Sequence, residues 1–361
     1  MAWHKRLELW GKLFLTLLSS ALLWRPGRRR PAQERLPVPD RVLLVRIDDR
    51  VGEALLTTPL MTTLQAMSPT VRVDVLVHRK VARVLSGHPA AGEVIAFDRR
   101  RIWLGAWAPG IRALRARRYR LVVDCANWDA PSVTSALVSR LIGHQAVVVG
   151  PGVWPVSLLQ SVSVPSLPGT RSEVLQRLHL LSPLERYQPS ARLSFRSPEF
   201  TASLRAFLEA RAARPLAVVN PGGRLGWRRI RPEAFGAAAR ALLEAGRTPV
   251  ITWGPGEEPL ARAVTALAPG SEMAPPTNLD ELAALMRAAQ LTVCNNTGPM
   301  HLSVALGVPT LGLFLRMEMG RWGHAHAPHH MLDLTPFADS EERLEAHLQE
   351  EVRRFAAGVA G

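Results

Sequence analysis

Cysteine is almost missing from this sequence: Cys125 and Cys294 are its only two in 361 residues, far apart and each at the end of or within an apolar run. That rules out a disulfide scaffold and, with no CxxC pair, a thiolate zinc or iron–sulfur centre; it fits a reducing compartment. No HExxH spacing occurs. His324, His326, His329 and His330 crowd together without an acidic ligand set nearby, and are read as a loop or partner surface, so no metal ligands are assigned. Long apolar runs are missing too. The strongest, Leu13 to Trp24, is broken by Thr16, Ser19 and Ser20, short of the roughly 20 residues that a membrane-spanning helix needs. No small-x-small cleavage site follows it, because Trp24 leads straight into RPGRRRP. With 47% apolar and 21% charged residues, the remainder has a globular composition long enough for two or three domains.

The formal charge of +15 points to anionic partners, but it is unevenly spread. Residues 1–30 hold Lys5, Arg6, Lys12, Arg25, Arg28, Arg29 and Arg30 against Glu8 alone. Nucleic acid is therefore disfavoured as a partner, the more so without an aromatic and basic platform or zinc-finger spacing. Lys5, Glu8, Lys12, Thr16 and Ser19 recur at three- and four-residue spacing, while Leu7, Trp10, Phe14, Leu17, Leu18 and Ala21 face away. This predicts an amphipathic helix lying on an anionic membrane surface. Pro31, Pro37 and Pro39 mark residues 31–40 as a linker.

From Arg41 onward, short β-branched runs alternate with helical spacing: RVLLVRI, VRVDVLVH, VIAF, RLVVDC and AVVVG, the last closing the first set, then PLAVVN, TPVITWG, LTVCN and VPTLGLF. The fold class is α/β, with two mostly parallel sheets. Domain boundaries are expected at 41–185 and 215–335, with a Pro- and Ser-rich connection at 186–214 and a closing helix over 336–361. Two such domains create an interdomain crevice at the carboxyl ends of their strands.

The strongest local signal is LTVCNNTGPMHLSVALGVPTLGLF, Leu291 to Phe314. Its turn Asn295, Asn296, Thr297 precedes a helix that Gly298 and Pro299 can start, with Thr297 as its N-cap. Such a helix start either binds an anion or is ordinary capping; one N-terminus does not decide.

Several motifs in order resemble the bacterial ADP-heptose:lipopolysaccharide heptosyltransferases of glycosyltransferase family nine. They are VRIDDRVGEALLTTP (Val45 to Pro59), NPGGRLGWRRIRPEAF (Asn220 to Phe235), TWGPGEE (Thr252 to Glu258), NTGPMHLSVALGVP (Asn296 to Pro309) and RWG (Arg321 to Gly323). The resemblance implies the two-domain GT-B fold, Rossmann-like in both halves, and an inverting, metal-independent transfer from a nucleotide sugar, with ADP as the expected carrier and no cofactor. It places an acceptor glycan, such as a lipopolysaccharide core, at Asp49, Arg50, Gly52 and Glu53. The donor is placed at Gly222, Gly223, Arg228, Arg229, Glu257, Glu258, Asn296, Thr297, Gly298, Pro299, Met300 and His301. Glu53 stands where the family has Asp and is the expected catalytic base, with Asp49 as rival; Arg228 is expected to offset diphosphate charge. Glu258, ahead of Glu257, is the expected ribose ligand. Asn296 replaces a second family Asp. These departures keep three alternatives open: another nucleotide-sugar donor, a nucleotide-sugar epimerase, or a non-catalytic binder. The expected location is the cytoplasmic face of the inner membrane, peripherally bound.

Overall fold

The computed structural model describes residues 11, 16–18, 35–98, 108–198, 200–211, 214–223, 226 and 229–359. Contacts divide the chain into two compact units, one ending at Arg192 and the other beginning at Leu193.

In the first unit, β1 (Arg41–Arg46) leads through α1 (Val51–Leu55) and α2 (Thr58–Met67) to β2 (Arg72–His78). Next come α3 (Ala82–Leu85), β3 (Val94–Phe97), α4 (Pro109–Ala116), β4 (Leu121–Asp124) and α5 (Val133–Ile142). The unit finishes with β5 (Val147–Pro151), a 3-10 turn at Val156–Leu159, β6 (Val162–Val164) and α6 (Glu173–His179). The strands are all parallel in the order β3-β2-β1-β4-β5-β6. Because helical crossovers cover both faces, the central strands read as unbroken apolar runs: Val42, Leu43, Leu44 and Val45 are all fully buried.

The sheet goes one strand further than the sequence pattern suggests. β6 is three residues with Ser163 in the middle, too short to leave a periodic signal. Within the expected linker, Leu36 is buried and tied to the unit, its N–H donating to Pro183 O at 2.8 Å and its carbonyl accepting from Glu185 N–H at 2.8 Å.

The second unit repeats the topology. It contains α7 (Ala202–Glu209), β7 (Leu216–Asn220), α8 (Pro232–Glu244), β8 (Thr248–Ile251), α9 (Glu258–Leu267), β9 (Glu272–Met273) and α10 (Leu279–Ala288). β10 (Leu291–Asn295), α11 (Gly298–Ala305), β11 (Thr310–Phe314), α12 (Met319–Trp322), β12 (His330–Asp333) and α13 (Glu341–Val359) follow. Its parallel order is β12-β11-β10-β7-β8-β9. Counted from the first strand of each unit, both sheets have the doubly wound order 3-2-1-4-5-6. The closing helix α13 buries Leu348, Val352 and Ala356 in the same core as Phe235 and Leu242 of α8. Arg247 fastens it by donating to Ala356 O at 2.7 Å.

Of the basic amino-terminal segment, residues 11 and 16–18 are described and helical, with Leu17 and Leu18 exposed. The rest of the expected interfacial helix lies outside the described residues. Among the described residues, no helix is long and apolar enough to cross a membrane.

Phe235 is fully buried between the second sheet and α13. Phe235→Ala should destabilise the folded chain by about 3 to 5 kcal/mol, read as a lowered urea midpoint of the second unit. A midpoint equal to the parent's would mean that the cluster does not hold α13.

Candidate functional site

Open parallel sheets bind ligands beyond the carboxyl ends of their strands, where strand order reverses. In the first unit the reversal lies between β1 and β4, and a cavity of about 280 Å³ opens there. Its wall is formed by Arg46, Ile47, Asp48, Asp49 and Arg50 after β1, by His78 at the end of β2, and by Ala126, Asn127, Ala130, Ser132 and Ser135 after β4. Arg46 ends β1, paired with Val77 of β2, and the next four residues form the short connection to α1 that brings their side chains to the cavity.

Glu53, on α1, is 3% exposed and sits behind that wall. Its carboxylate is held by Arg46 at 2.7 Å, by Arg50 at 3.0 Å and by Arg177 from α6. Arg177, with no exposed surface, also donates to Glu53 O at 2.9 Å and to Asn127 Oδ1 at 3.1 Å, and pairs with Glu173 at 3.3 Å. Arg46 donates to Cys125 O at 2.7 Å and to Asn127 Oδ1 at 2.8 Å. Burial would raise the proton affinity of Glu53, but Arg177, Arg46 and Arg50 together override it and hold the carboxyl well below the ordinary glutamate range. Asp48 is turned to Arg50, accepting from its Nε at 2.9 Å and Nη2 at 2.7 Å. Asp49 is different. It lines the cavity, is more than half exposed, and faces Lys80 at 3.7 Å. Gly52 lies within α1.

A further acid lies under the β4 wall. Asp124, fully buried, accepts from Ser135 Oγ at 2.5 Å and from Ala126 N–H at 3.2 Å, and its Oδ2 has no hydrogen-bond partner. Burial pushes this carboxyl up to about 6. In the sequence it is merely the polar end of an apolar strand; no spacing marks it.

In the second unit the reversal point lies between β7 and β10, and there the donor groups are backbone. Gly222 and Gly223 follow β7. Glu257 accepts from Gly223 N–H at 2.8 Å and from Gly254 N–H at 3.0 Å, locking the loops after β7 and β8 together. A Cβ at Gly222 would meet that carboxylate, so a larger residue there would push Glu257 off its present position. Asn295 makes the parallel tie from β10, donating to Pro221 O at 2.8 Å and Gly222 O at 3.2 Å. Glu258 instead turns along α9 to Arg262.

Asn296 donates its N–H to Leu313 O at 3.0 Å. Thr297 is the N-cap residue of α11, but its hydroxyl donates back to Asn295 O at 3.2 Å and no side chain caps the helix. The capping alternative therefore fails at the side-chain level; Pro299 brings no N–H to the helix start, and Met300 N–H turns back to Thr297 O at 3.1 Å. Met300 is a core residue beneath Phe314. His301 is buried, its Nδ1 2.8 Å from His324 Nε2. His324, His326 and His329 continue as edge-to-face rings, and burial lowers the proton affinity of His324. Among the described residues no cluster of three or more histidine, cysteine or acidic side chains could hold a metal. Arg229 is partly buried; Arg228 lies outside the described residues.

Residues 108–352 match the family model described as glycosyltransferase family 9 (heptosyltransferase). The chain belongs to this family. It is a nucleotide-sugar glycosyltransferase of the inverting kind, with two Rossmann-like sheets of the GT-B type. Lipopolysaccharide heptosyltransferase 3 of Escherichia coli K12 is 27% identical over 286 residues, covering 73% of this chain and 79% of that protein. The crystal structure of the glycosyl transferase family 9 from Veillonella parvula superposes with a TM-score of 0.74 at 19% identity, over 91% of this chain and 99% of that one. The E. coli heptosyltransferase WaaC with ADP gives 0.66 at 23% identity, over 86% and 99%. The family match begins after the β1 turn, so the chemistry of residues 48–53 rests on their own geometry.

Because its pKa is depressed in the fold, Glu53 contributes stability above the ordinary glutamate range, and that contribution is lost as pH falls through the lowered value. Glu53→Gln should cost about 3 to 5 kcal/mol at neutral pH by leaving Arg177 and Arg46 buried without their anion. The deficit should narrow in strong acid. A deficit that stays constant from neutral to acid, in urea titrations at several pH values, would show that charge pairing is not its source.

Proposed function

We propose that this glycosyltransferase moves a heptose from ADP-heptose to a sugar of a lipopolysaccharide core, inverting the anomeric centre. The carrying observation is the contrast of two reversal points, one a charged, hydroxyl-lined cavity suited to a glycan and the other a glycine loop beside Arg229 suited to a diphosphate. The E. coli relative's name supports heptose and lipopolysaccharide, and the ADP complex of WaaC supports the adenine carrier.

Transfer requires an acceptor oxygen to approach the anomeric carbon opposite the departing diphosphate while its proton leaves. Arg228 and Arg229 meet the diphosphate charge, and Glu257 or Glu258 takes the ribose hydroxyls. For the proton, the surroundings divide the acids of the β1 turn. A base works best when its proton affinity matches the working pH, and Glu53 is buried beneath three guanidinium groups that weaken it. Asp49 lines the cavity and faces one exposed lysine. We therefore assign proton acceptance to Asp49, and to Glu53 the task of holding Arg46 and Arg50 at the cavity wall.

Mass analysis of products from a panel of ADP-, UDP- and GDP-sugars with lipopolysaccharide acceptors should give transfer with ADP-heptose. Transfer from another donor alone would refute the heptose assignment, and epimerised donor without acceptor would refute transfer to lipopolysaccharide. Asp49→Asn should lower kcat about 100-fold with little change in donor affinity. Asp49→Asn at the parent rate, beside an inactive but folded Glu53→Gln and an active Glu53→Asp, would return the base to Glu53.

The basic amino-terminal segment is proposed to hold the enzyme on the cytoplasmic face of the inner membrane. A chain shortened to begin at Ala32 keeps the Leu36 tie, and should fold and bind ADP yet lose binding to vesicles containing anionic lipid. Equal vesicle binding by both chains would reject this placement.

A further inference from the structure

Asp124 and Ser135 form a pair that the transfer steps above leave unused. Ser135 lines the cavity, and its neighbour Ser132 caps α5 by accepting from Ser135 N–H at 3.2 Å, which fixes Ser135 in place. A serine hydroxyl has one proton to give and two lone pairs to offer. Here the proton is spoken for, since Oγ lies 2.5 Å from a fully buried carboxylate that has no other hydroxyl donor among the described residues. What Ser135 can present is therefore acceptor capacity alone.

We infer that Asp124 and Ser135 are a recognition pair for a hydroxyl of the acceptor glycan, the carboxylate drawing the serine proton inward so that Ser135 Oγ accepts from the sugar. This rests on the reading of the cavity as the glycan side. Ser135 is a binding residue and Asp124 a positioning residue that acts through it. The pair favours a sugar offering a free hydroxyl and disfavours an ether or carbonyl oxygen at that point, because two acceptors would then face each other unpaired.

The pairing depends on the charge of Asp124. When Asp124 takes a proton it no longer needs the serine's, and Ser135 can turn its hydroxyl toward the cavity. With burial holding Asp124 near 6, recognition is present above that value and fades below it. Other groups face this carboxyl: Arg46 from β1, with Glu53 and Arg177 behind it, Cys125 next along the chain, and Gln160 ahead of β6. His78, Asp48, Asp49 and Arg50 share the cavity and supply the competing source of any pH response.

The test is calorimetric titration of the full chain with lipid-free core oligosaccharide released from lipopolysaccharide by mild acid, between about pH 7.5 and about pH 5. The parent should bind more weakly as pH falls through about 6. Ser135→Ala should bind about 10-fold more weakly at neutral pH and show no break near that value. Asp124→Asn should likewise lose the break, and if it fails to fold Ser135→Ala decides alone. Ser135→Ala with parental affinity overturns the pair, as does a break that persists in the variants. Heptose transfer to lipopolysaccharide is read separately by product mass. Transfer with an unmoved Ser135→Ala affinity therefore sinks this pair and leaves the transferase reading standing, whereas no oligosaccharide binding by the parent overturns the pair and the glycan-side cavity together.

Discussion

A guanidinium taken wholly out of water needs counter-charge and hydrogen-bond acceptors, and Arg177 sets that demand in the first unit. Its partners come from three places in the chain: Glu53 from the turn after β1, Asn127 from the loop after β4, and Glu173 from its own helix. Satisfying one buried cation therefore fixes the two loops that surround the cavity relative to α6. Arg46 then completes the arrangement from the end of β1, sharing both Glu53 and Asn127. The cavity wall has the shape it has because charge neutrality beneath it leaves few other solutions.

The two units use one topology for opposite chemical ends. Both place their polar residues at the reversal of strand order, where loops leave the sheet in opposite directions. In the first unit side chains supply the chemistry, with carboxylates, guanidinium groups and hydroxyls around a cavity. In the second, the Glu257 carboxylate packs against Gly222 and gathers the main-chain N–H groups of Gly223 and Gly254. In the proposed assignment the first surface meets a hydroxyl-rich sugar and the second a compact diphosphate.

The sheets were legible in the sequence because strands covered on both faces must be continuously apolar, as RVLLVRI and PLAVVN are. Both glycine turns and the helix start at Gly298 were also visible, since each depends on local chain geometry. What stayed hidden depends on distant partners. Arg177 reads as an ordinary helical arginine until the fold brings it 124 residues back to Glu53. Asp124 reads as a strand terminus until Ser135 closes over it. The motif made Glu53 the expected base, but motif position carries no information about the three cations that share its carboxylate. The sequence ranks Glu258 ahead of Glu257 in GPGEE without showing their partners; the helix start separates them, sending Glu258 to Arg262 and Glu257 to the glycine loops.

Sharing one carboxylate among three guanidinium groups from two distant segments also has a consequence for how this protein can vary. A change at Glu53, Arg46, Arg50 or Arg177 alters the charge balance felt by the other three, so their individual effects do not add. Glu53 and the arginine it reaches on α6 then form a single coupled unit. Either one transplanted alone into another family member would arrive without the partner that makes it tolerable.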